Sequence, residues 1–237
     1  MAEELYQTDP YLKTCEARVV SVDESGIVLD RTVFYAAGGG QPGDTGVLRL
    51  PGGESIAVTD TRRDRESGEV MHIPGPGAPG PGIEPGQTVT AVLDWDRRYR
   101  LMRMHSCLHL MCAVIDAGVT GGQVHDGRGR LDFDLQETLD KEDVGTRLNQ
   151  LIRQNRDRSF RWITDEELDA HPELVKTLSV QPPRGLGRVR LVEFDGLDIQ
   201  PCGGTHVAST GEIGPIRVAK IEKKGRHNRR VTVVFDE

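Results

Sequence analysis

Two short patterns in the chain have the makings of metal half-sites: His105-x-x-x-His109 and Cys202-x-x-x-His206. Neither is complete alone. Together they offer three imidazoles and one thiolate, the donor set that suits a borderline-soft ion such as zinc in tetrahedral geometry. A lone His-x-x-x-His on an amphipathic helix is more often core packing or chance. The second pair gives the first its meaning. The expectation is one Zn2+ per chain, held by His105, His109, Cys202 and His206.

The elements that must position these residues are visible on either side of them. Asp94 and Asp96 stand where a helix would be capped, and Leu101, Met104, Leu108, Met111 and Ile115 then recur at three- and four-residue steps up to Gly118. On such a helix His105 and His109 lie one turn apart on the same face. Pro201 discourages helix before Cys202, while Gly203 and Gly204 permit a tight turn that brings Cys202 and His206 to one side.

Composition narrows the class. A chain of 237 residues, 36% hydrophobic and 28% charged, is an ordinary soluble protein with room for one large domain or two modest ones. No stretch approaches a membrane span, and the acidic start lacks the basic and apolar regions of a signal peptide. Cys15, Cys107, Cys112 and Cys202 do not suggest a disulfide framework, so a reducing cytoplasm is expected. The net charge of -7 argues against an indiscriminate nucleic-acid binder. Cations nevertheless cluster. Arg97, Arg98, Arg100 and Arg103 lead into the histidine helix, and Lys220, Lys223, Lys224, Arg226, Arg229 and Arg230 crowd a C-terminal stretch. They read either as a local surface for an anionic substrate or as solvated faces of a helix and a strand pair.

The first part reads as β, with short strands at 17–23, 26–30, 46–50, 54–60 and 87–94 separated by Gly and Pro turns. That spacing suggests a small barrel. Residues 74–82 form a proline-glycine loop that can pack no core. At 94–96 the apolar period changes from two to about 3.6, which sets the expected boundary between domains 1–94 and 95–237. The second part mixes strands at 129–135, 189–194, 216–222 and 230–235 with helices at 141–155 and 165–170, the latter capped by Thr164 or Asp165. The last two strands form a hairpin around 224–228. The class is α+β: a β-barrel followed by a two-layer α/β domain with an antiparallel sheet. No internal repeats are present.

Several blocks resemble the editing domain of alanyl-tRNA synthetase, and more closely the free-standing alanyl-tRNA editing proteins called AlaX. These are 34–46 (FYAAGGGQPGDTG), the two half-sites, 119–123 (VTGGQ), 130–134 (RLDFD) and 221–230 (IEKKGRHNRR). They span nearly the whole chain in the family's order. No aminoacylation core and no Gly-Lys-Ser/Thr phosphate loop accompany them, so ATP use is not expected. The resemblance implies a zinc-binding editing domain over 95–237 that hydrolyses the ester between tRNA(Ala) and a wrong amino acid, serine or glycine. One departure is visible: Ser106 follows the first histidine where the family usually has threonine. The hydroxyl is kept and the methyl that narrows the pocket is not.

That chemistry needs a polar pocket. An apolar site rejects an added hydroxyl only about a hundredfold, whereas a site that must hydrogen-bond it discriminates by roughly 10⁴ or more. Ser106, Gln123 and Thr205 flank the half-sites and are the candidates for reading the side chain, Gln123 by its family position. Zinc can lower the pKa of a water molecule or polarise the carbonyl. Four protein donors describe a closed site, whereas catalysis favours an open position. Either His206 yields its place, the preferred reading, or the metal holds the ribose or amino group while another water attacks. No general base stands out; Asp132 and Asp134 read as edge carboxylates. Gly38, Gly39 and Gly40 allow close backbone approach, with Gln41 and Asp44 beside them, and the block is expected at a domain interface that contributes to recognition. Arg97, Arg98, Lys223, Lys224, Arg226 and Arg229 are the expected tRNA contacts. The competing functions are a zinc-stabilised tRNA-binding module without catalysis and a deacylase of seryl-tRNA(Thr), which lacks a reason for the 34–46 block. The oligomeric state is left open.

Overall fold

A computed structural model describes residues 1–76, 82–178 and 187–237. The chain divides into two compact units, Met1–Tyr99 and Arg100–Glu237. Most of the expected proline-glycine loop, residues 77–81, lies outside the described residues.

In the first unit the strands are β1 (Glu3–Glu4), β2 (Thr14–Asp23), β3 (Gly26–Leu29), β4 (Arg31–Thr32), β5 (Gly46–Arg49), β6 (Ser55–Arg63), β7 (Val70–Pro74) and β8 (Thr88–Leu93). Six of them close a barrel in the order β2-β3-β7-β6-β5-β8. Period-two alternation sends Ala17 and Val19 of β2 and Val89, Ala91 and Leu93 of β8 inward, against Ile27, Leu29, Phe34 and Leu48. Closure removes the exposed edges that an open sheet of this size would present. The strand β7 is absent from the sequence reading. Its five residues, Val70 to Pro74, carry no alternation and run straight into the proline-glycine stretch.

The helix α1 (Trp95–Val114) begins in the first unit and continues into the second. Asp94 Oδ1 accepts from Arg97 N at 3.3 Å, as expected of a cap. The apolar stripe predicted at 101, 104, 108 and 111 is buried, but so are Met102, Ser106, Cys107 and Leu110. A helix buried nearly all round is a core helix, not a surface one.

The second unit continues with β9 (Val119–His125), β10 (Arg128–Asp134), α2 (Lys141–Arg153), β11 (Arg158–Ile163), α3 (Asp165–Ala170), β12 (Val189–Phe194), β13 (Asp198–Pro201), β14 (Ile216–Gly225) and β15 (Asn228–Phe235). One antiparallel sheet runs β14-β15-β10-β9 and a second runs β11-β12-β13. The helix α2 is capped by Asp140, whose side chain accepts from Glu142 N and Asp143 N, and buries Val144, Leu148 and Ile152. Thr164 caps α3 through a reciprocal box with Glu167. The hairpin expected around 224–228 is β14–β15, with Gly225 opposite Asn228. The α+β class and the barrel are therefore as read. Among the described residues no helix is long and apolar enough to cross a membrane.

Candidate metal centre

Helix and turn meet in the second unit. His105 and His109 project from one face of α1, and Cys202 and His206 from the turn that follows β13. Their donor atoms all lie within 4.8 Å of one another. Cys202 Sγ is 3.6 Å from His105 Nε2 and 3.3 Å from His206 Nε2. A tetrahedral ion with Zn–N near 2.0–2.1 Å and Zn–S near 2.3 Å places its nitrogen and sulfur donors about 3.6 Å apart. The residues fit such an ion.

The imidazoles are oriented from behind. His109 Nδ1 lies 3.1 Å from Asp198 Oδ2, and the buried Asp198 also accepts from Lys176 Nζ at 2.6 Å and Gln200 Nε2 at 2.8 Å. His206 Nδ1 lies 3.2 Å from Ser106 Oγ, which accepts from Val207 N at 3.2 Å. With Nδ1–H donated outward in both rings, Nε2 is the nitrogen that faces the cluster and would ligate a metal once its proton is displaced. The turn is braced as well: Arg190, almost fully buried, donates through Nε to Cys202 O at 3.0 Å and through Nη2 to Gly204 O. Gly204 N points at Cys202 Sγ from 3.3 Å.

Charge follows geometry. Burial would push the Cys202 thiol up, but the adjoining imidazoles of His105 and His206 outweigh it and hold the pKa well below the usual thiol range. Burial, with His105 and His109 beside it, pushes the His206 pKa well below the usual imidazole range. Burial also disfavours the His109 cation, yet Asp198 and the Cys202 sulfur prevail and lift it to about 9. Burial raises Asp198, and its bonds to His109 and Lys176 more than reverse this. The cluster thus favours a thiolate.

The remaining expected residues fall in different settings. Ser106 and Thr205 are fully buried, and the Ser106 hydroxyl is engaged by His206 and Val207. Gln123 is half-buried on β9, opposite Arg130, whose Nη2 donates to its Oε1 at 3.4 Å. Asp132 is clasped by Arg130 and Arg230, with Arg230 at 2.7 Å from both oxygens, and Asp134 is exposed at the end of β10. Lys223, Lys224 and Arg226 are exposed. Two of the expected tRNA contacts are instead internal. Arg98 has no exposed surface, pairs with Asp44 through Nε at 2.9 Å and donates to Val33 O and Pro10 O. Arg229 is buried, with its guanidinium on the carbonyls of Gln136 and Glu137. A guanidinium spent on internal carbonyls offers nothing to a phosphate. Arg97 is half-buried, with Nη1 on Gly43 O at 2.8 Å.

In the barrel unit, Gly38 and Gln41 face each other across a two-residue turn, with Gly39 and Gly40 at φ 54° and 82°. That is a type I′ turn, which demands positive φ at both positions. Gln41 and Asp44 are buried, and Asp44 also accepts from Tyr35 N. Sequence reasoning missed Asp198, Gln200, Lys176 and Arg190. A signal for the first two existed: Asp198, Gln200 and Cys202 alternate at period two, which places them on one face of a strand.

Comparison with known proteins fits this geometry. Residues 189–232 match the family model described as the threonyl and alanyl tRNA synthetase second additional domain, and residues 9–97 match that of tRNA synthetases class II (A). The alanyl-tRNA editing protein AlaX-M of Saccharolobus solfataricus is 36% identical over 236 residues, covering 98% of each chain. AlaX-M of Methanosarcina acetivorans is 37% identical over 242 residues, again covering 98% of each. The chain belongs to the alanyl-tRNA editing protein family. The likeness extends to the synthetase: the alanine–tRNA ligase of Thermococcus kodakarensis is 33% identical over 231 residues, covering 92% of this chain and 24% of that protein. As in the other alanyl-tRNA editing proteins to which it aligns end to end, both units are covered by the match.

Proposed function

We propose that this member of the alanyl-tRNA editing family is a zinc-dependent deacylase. It hydrolyses mischarged tRNA(Ala), chiefly seryl- and also glycyl-tRNA(Ala), without ATP and in the cytoplasm. The observation that carries the reading is the convergence of His105, His109, Cys202 and His206 within 4.8 Å from segments about a hundred residues apart in sequence. End-to-end similarity to proteins named for alanyl-tRNA editing supplies the substrate class.

Zinc held by these four side chains would supply Lewis acidity toward the ester carbonyl. The chain does the rest. Asp198 and Ser106 turn two imidazoles so that Nε2 faces the cluster, and Arg190 fixes the turn that carries Cys202. His206 is pinned as firmly as His109, and nothing in its packing marks it as the ligand that gives way. Thr205 and Ser106 are fully buried, so Gln123 is the expected reader that keeps exposed surface. Lys223, Lys224 and Arg226 supply cationic surface for the tRNA backbone.

The test is hydrolysis of seryl-tRNA(Ala), seryl-tRNA(Thr) and glycyl-tRNA(Ala) by purified protein, with and without a chelator. Cys202→Ala should lose metal and deacylation together; full activity in that variant would overturn the ligand assignment. Binding without hydrolysis by metal-loaded protein would instead favour a zinc-stabilised RNA-binding module. Replacing Lys223, Lys224 and Arg226 with Ala should weaken tRNA binding and flatten its salt dependence. An unchanged slope would remove these cations from the tRNA surface.

A further inference from the structure

The face of the β11-β12-β13 sheet that serves the metal cluster continues past it. Residues directly paired across an antiparallel sheet share a face. Phe194 pairs with Asp198 and Val192 with Gln200, and Cys202 N donates to Arg190 O at 3.0 Å, extending the ladder by one residue. On the other side of β12, Arg158 pairs with Phe194, Phe160 with Val192 and Trp162 with Arg190. Asp198, Gln200 and Cys202 therefore share their face with Arg158, Phe160 and Trp162. Trp162, Arg190 and Cys202 form a single cross-strand row, so the Trp162 backbone is two strand spacings, about 10 Å, from that of the metal-ligating cysteine.

The far end of this row has the chemistry of a stacking platform. Trp162 keeps 37% of its surface exposed on the edge strand. The exposed Arg188 lies with its guanidinium carbon 4.5 Å from the Trp162 ring centre. Arg158 and Arg190 approach the Phe160 ring at 3.8 and 4.5 Å. The β11 strand, Arg-Ser-Phe-Arg-Trp-Ile, contains no carboxylate, and Glu193 pairs with Ser159 on the opposite face. Exposed aromatic surface set among arginines, on a strand that carries no carboxylate and with the one acid of that face, Asp198, buried two strands away, is complementary to the unpaired end of an RNA: a base for the ring, phosphates for the cations.

We infer that Trp162, backed by Arg188, is the platform on which a base of the unpaired 3′ end of the aminoacylated RNA stacks while its ester reaches the metal cluster. The inference rests on the deacylase reading for the identity of the ligand. In that reading the reacting ester sits on the terminal ribose, so its base must lie within one nucleoside of the metal. The row Cys202–Arg190–Trp162 provides that span. Arg190 ties the two ends together, because the guanidinium that braces the Cys202 turn also packs on Phe160.

The experiment uses full-length protein in which Trp95→Phe leaves Trp162 as the only tryptophan. The probes are an uncharged RNA hairpin with a four-nucleotide unpaired 3′ overhang and the same hairpin with a blunt end. Stacking predicts quenching of Trp162 fluorescence by the overhang hairpin only. It predicts that Trp162→Ala and Arg188→Ala, measured by anisotropy of a labelled hairpin, weaken binding of the overhang form roughly 5- to 100-fold for the tryptophan and less for the arginine, while Trp162→Phe restores most of it. Equal quenching by both hairpins, or unchanged affinity in Trp162→Ala, would overturn the platform. So would loss of binding that Trp162→Phe fails to restore in a folded protein. Because the probes carry no ester, quenching that appears in a protein unable to deacylate seryl-tRNA would sustain the platform and sink only the hydrolase.

Discussion

Asp198→Ala isolates the contribution of the group behind the cluster. The carboxylate accepts from His109 Nδ1, Lys176 Nζ and Gln200 Nε2 at 3.1, 2.6 and 2.8 Å, and alanine removes both acceptor oxygens and with them all three bonds. His109 loses the bond that fixes its tautomer and ring angle, and Lys176 is left as a cation near the imidazoles with no counter-charge. Loss of such an outer partner costs about 10–100-fold in metal affinity, which corresponds to about 1.4–2.7 kcal/mol. Asn at 198 is expected to fall between. Its one acceptor oxygen can serve His109 or Lys176 but not both, and its NH2 end then faces another donor. Competition for zinc against a chromophoric chelator at neutral pH measures the affinity, and a thermal melt of each variant shows that the fold survives. Wild-type affinity in a folded Asp198→Ala protein would refute the reasoning, and so would a loss no larger than that of Lys176→Met, which leaves the His109–Asp198 bond in place.

Three further outcomes are expected from the barrel unit. Arg98→Met strands the Asp44 carboxylate in a buried site, and denaturant unfolding should report a loss of about 3–5 kcal/mol; a change below about 1 kcal/mol would mean the pair is not a structural tie. His72 is fully buried, accepts from Thr32 Oγ1 and donates to Ile27 O, and burial outweighs the latter bond to lower its pKa from 6.5 to about 4. The unfolded chain then binds the proton first, so stability is full above about pH 6.5 and falls by about 3 kcal/mol as pH drops to 4; His72→Gln should remove that increment from the pH profile, and an unaltered profile would contradict it. Gly43→Ala places a Cβ 2.0 Å from Thr61 O, whereas a Cβ at Gly39 meets nothing within 4 Å and asparagine tolerates its φ of 54°. Melting temperatures should therefore drop sharply for Gly43→Ala and little for Gly39→Asn; equal shifts would argue against the contact.

What the sequence made legible was whatever is encoded locally. The two His/Cys half-sites, the Asp94 and Thr164 caps, the alternation of β2 and β8 and the Gly225–Asn228 hairpin all announce themselves within a few residues. The convergence of positions 105 and 202 was inferred only because each half-site is chemically unfinished. What escaped depends on partners distant in the chain. Arg98 sits among Arg97, Arg100 and Arg103 and reads as one more solvated cation; its partner Asp44 is 54 residues away. Ser106 reads as a pocket hydroxyl until His206 Nδ1, a hundred residues on, is found beside it. The strand β11 escapes because its two arginines fall on opposite faces, Arg158 with Phe160 and Trp162 and Arg161 with Ser159 and Ile163, which leaves little polar contrast between them.

One guanidinium has a wider consequence. Because Arg190 clasps the carbonyls of Cys202 and Gly204 from inside the sheet, part of the entropy of ordering that turn is already met by bonds of the fold itself. In small zinc modules folding and metal binding are one event, and stripping the metal melts the domain. With zinc in the proposed site, a turn braced in this way would let the ion leave and return without melting the domain, so the supply of free zinc would set the fraction of competent molecules.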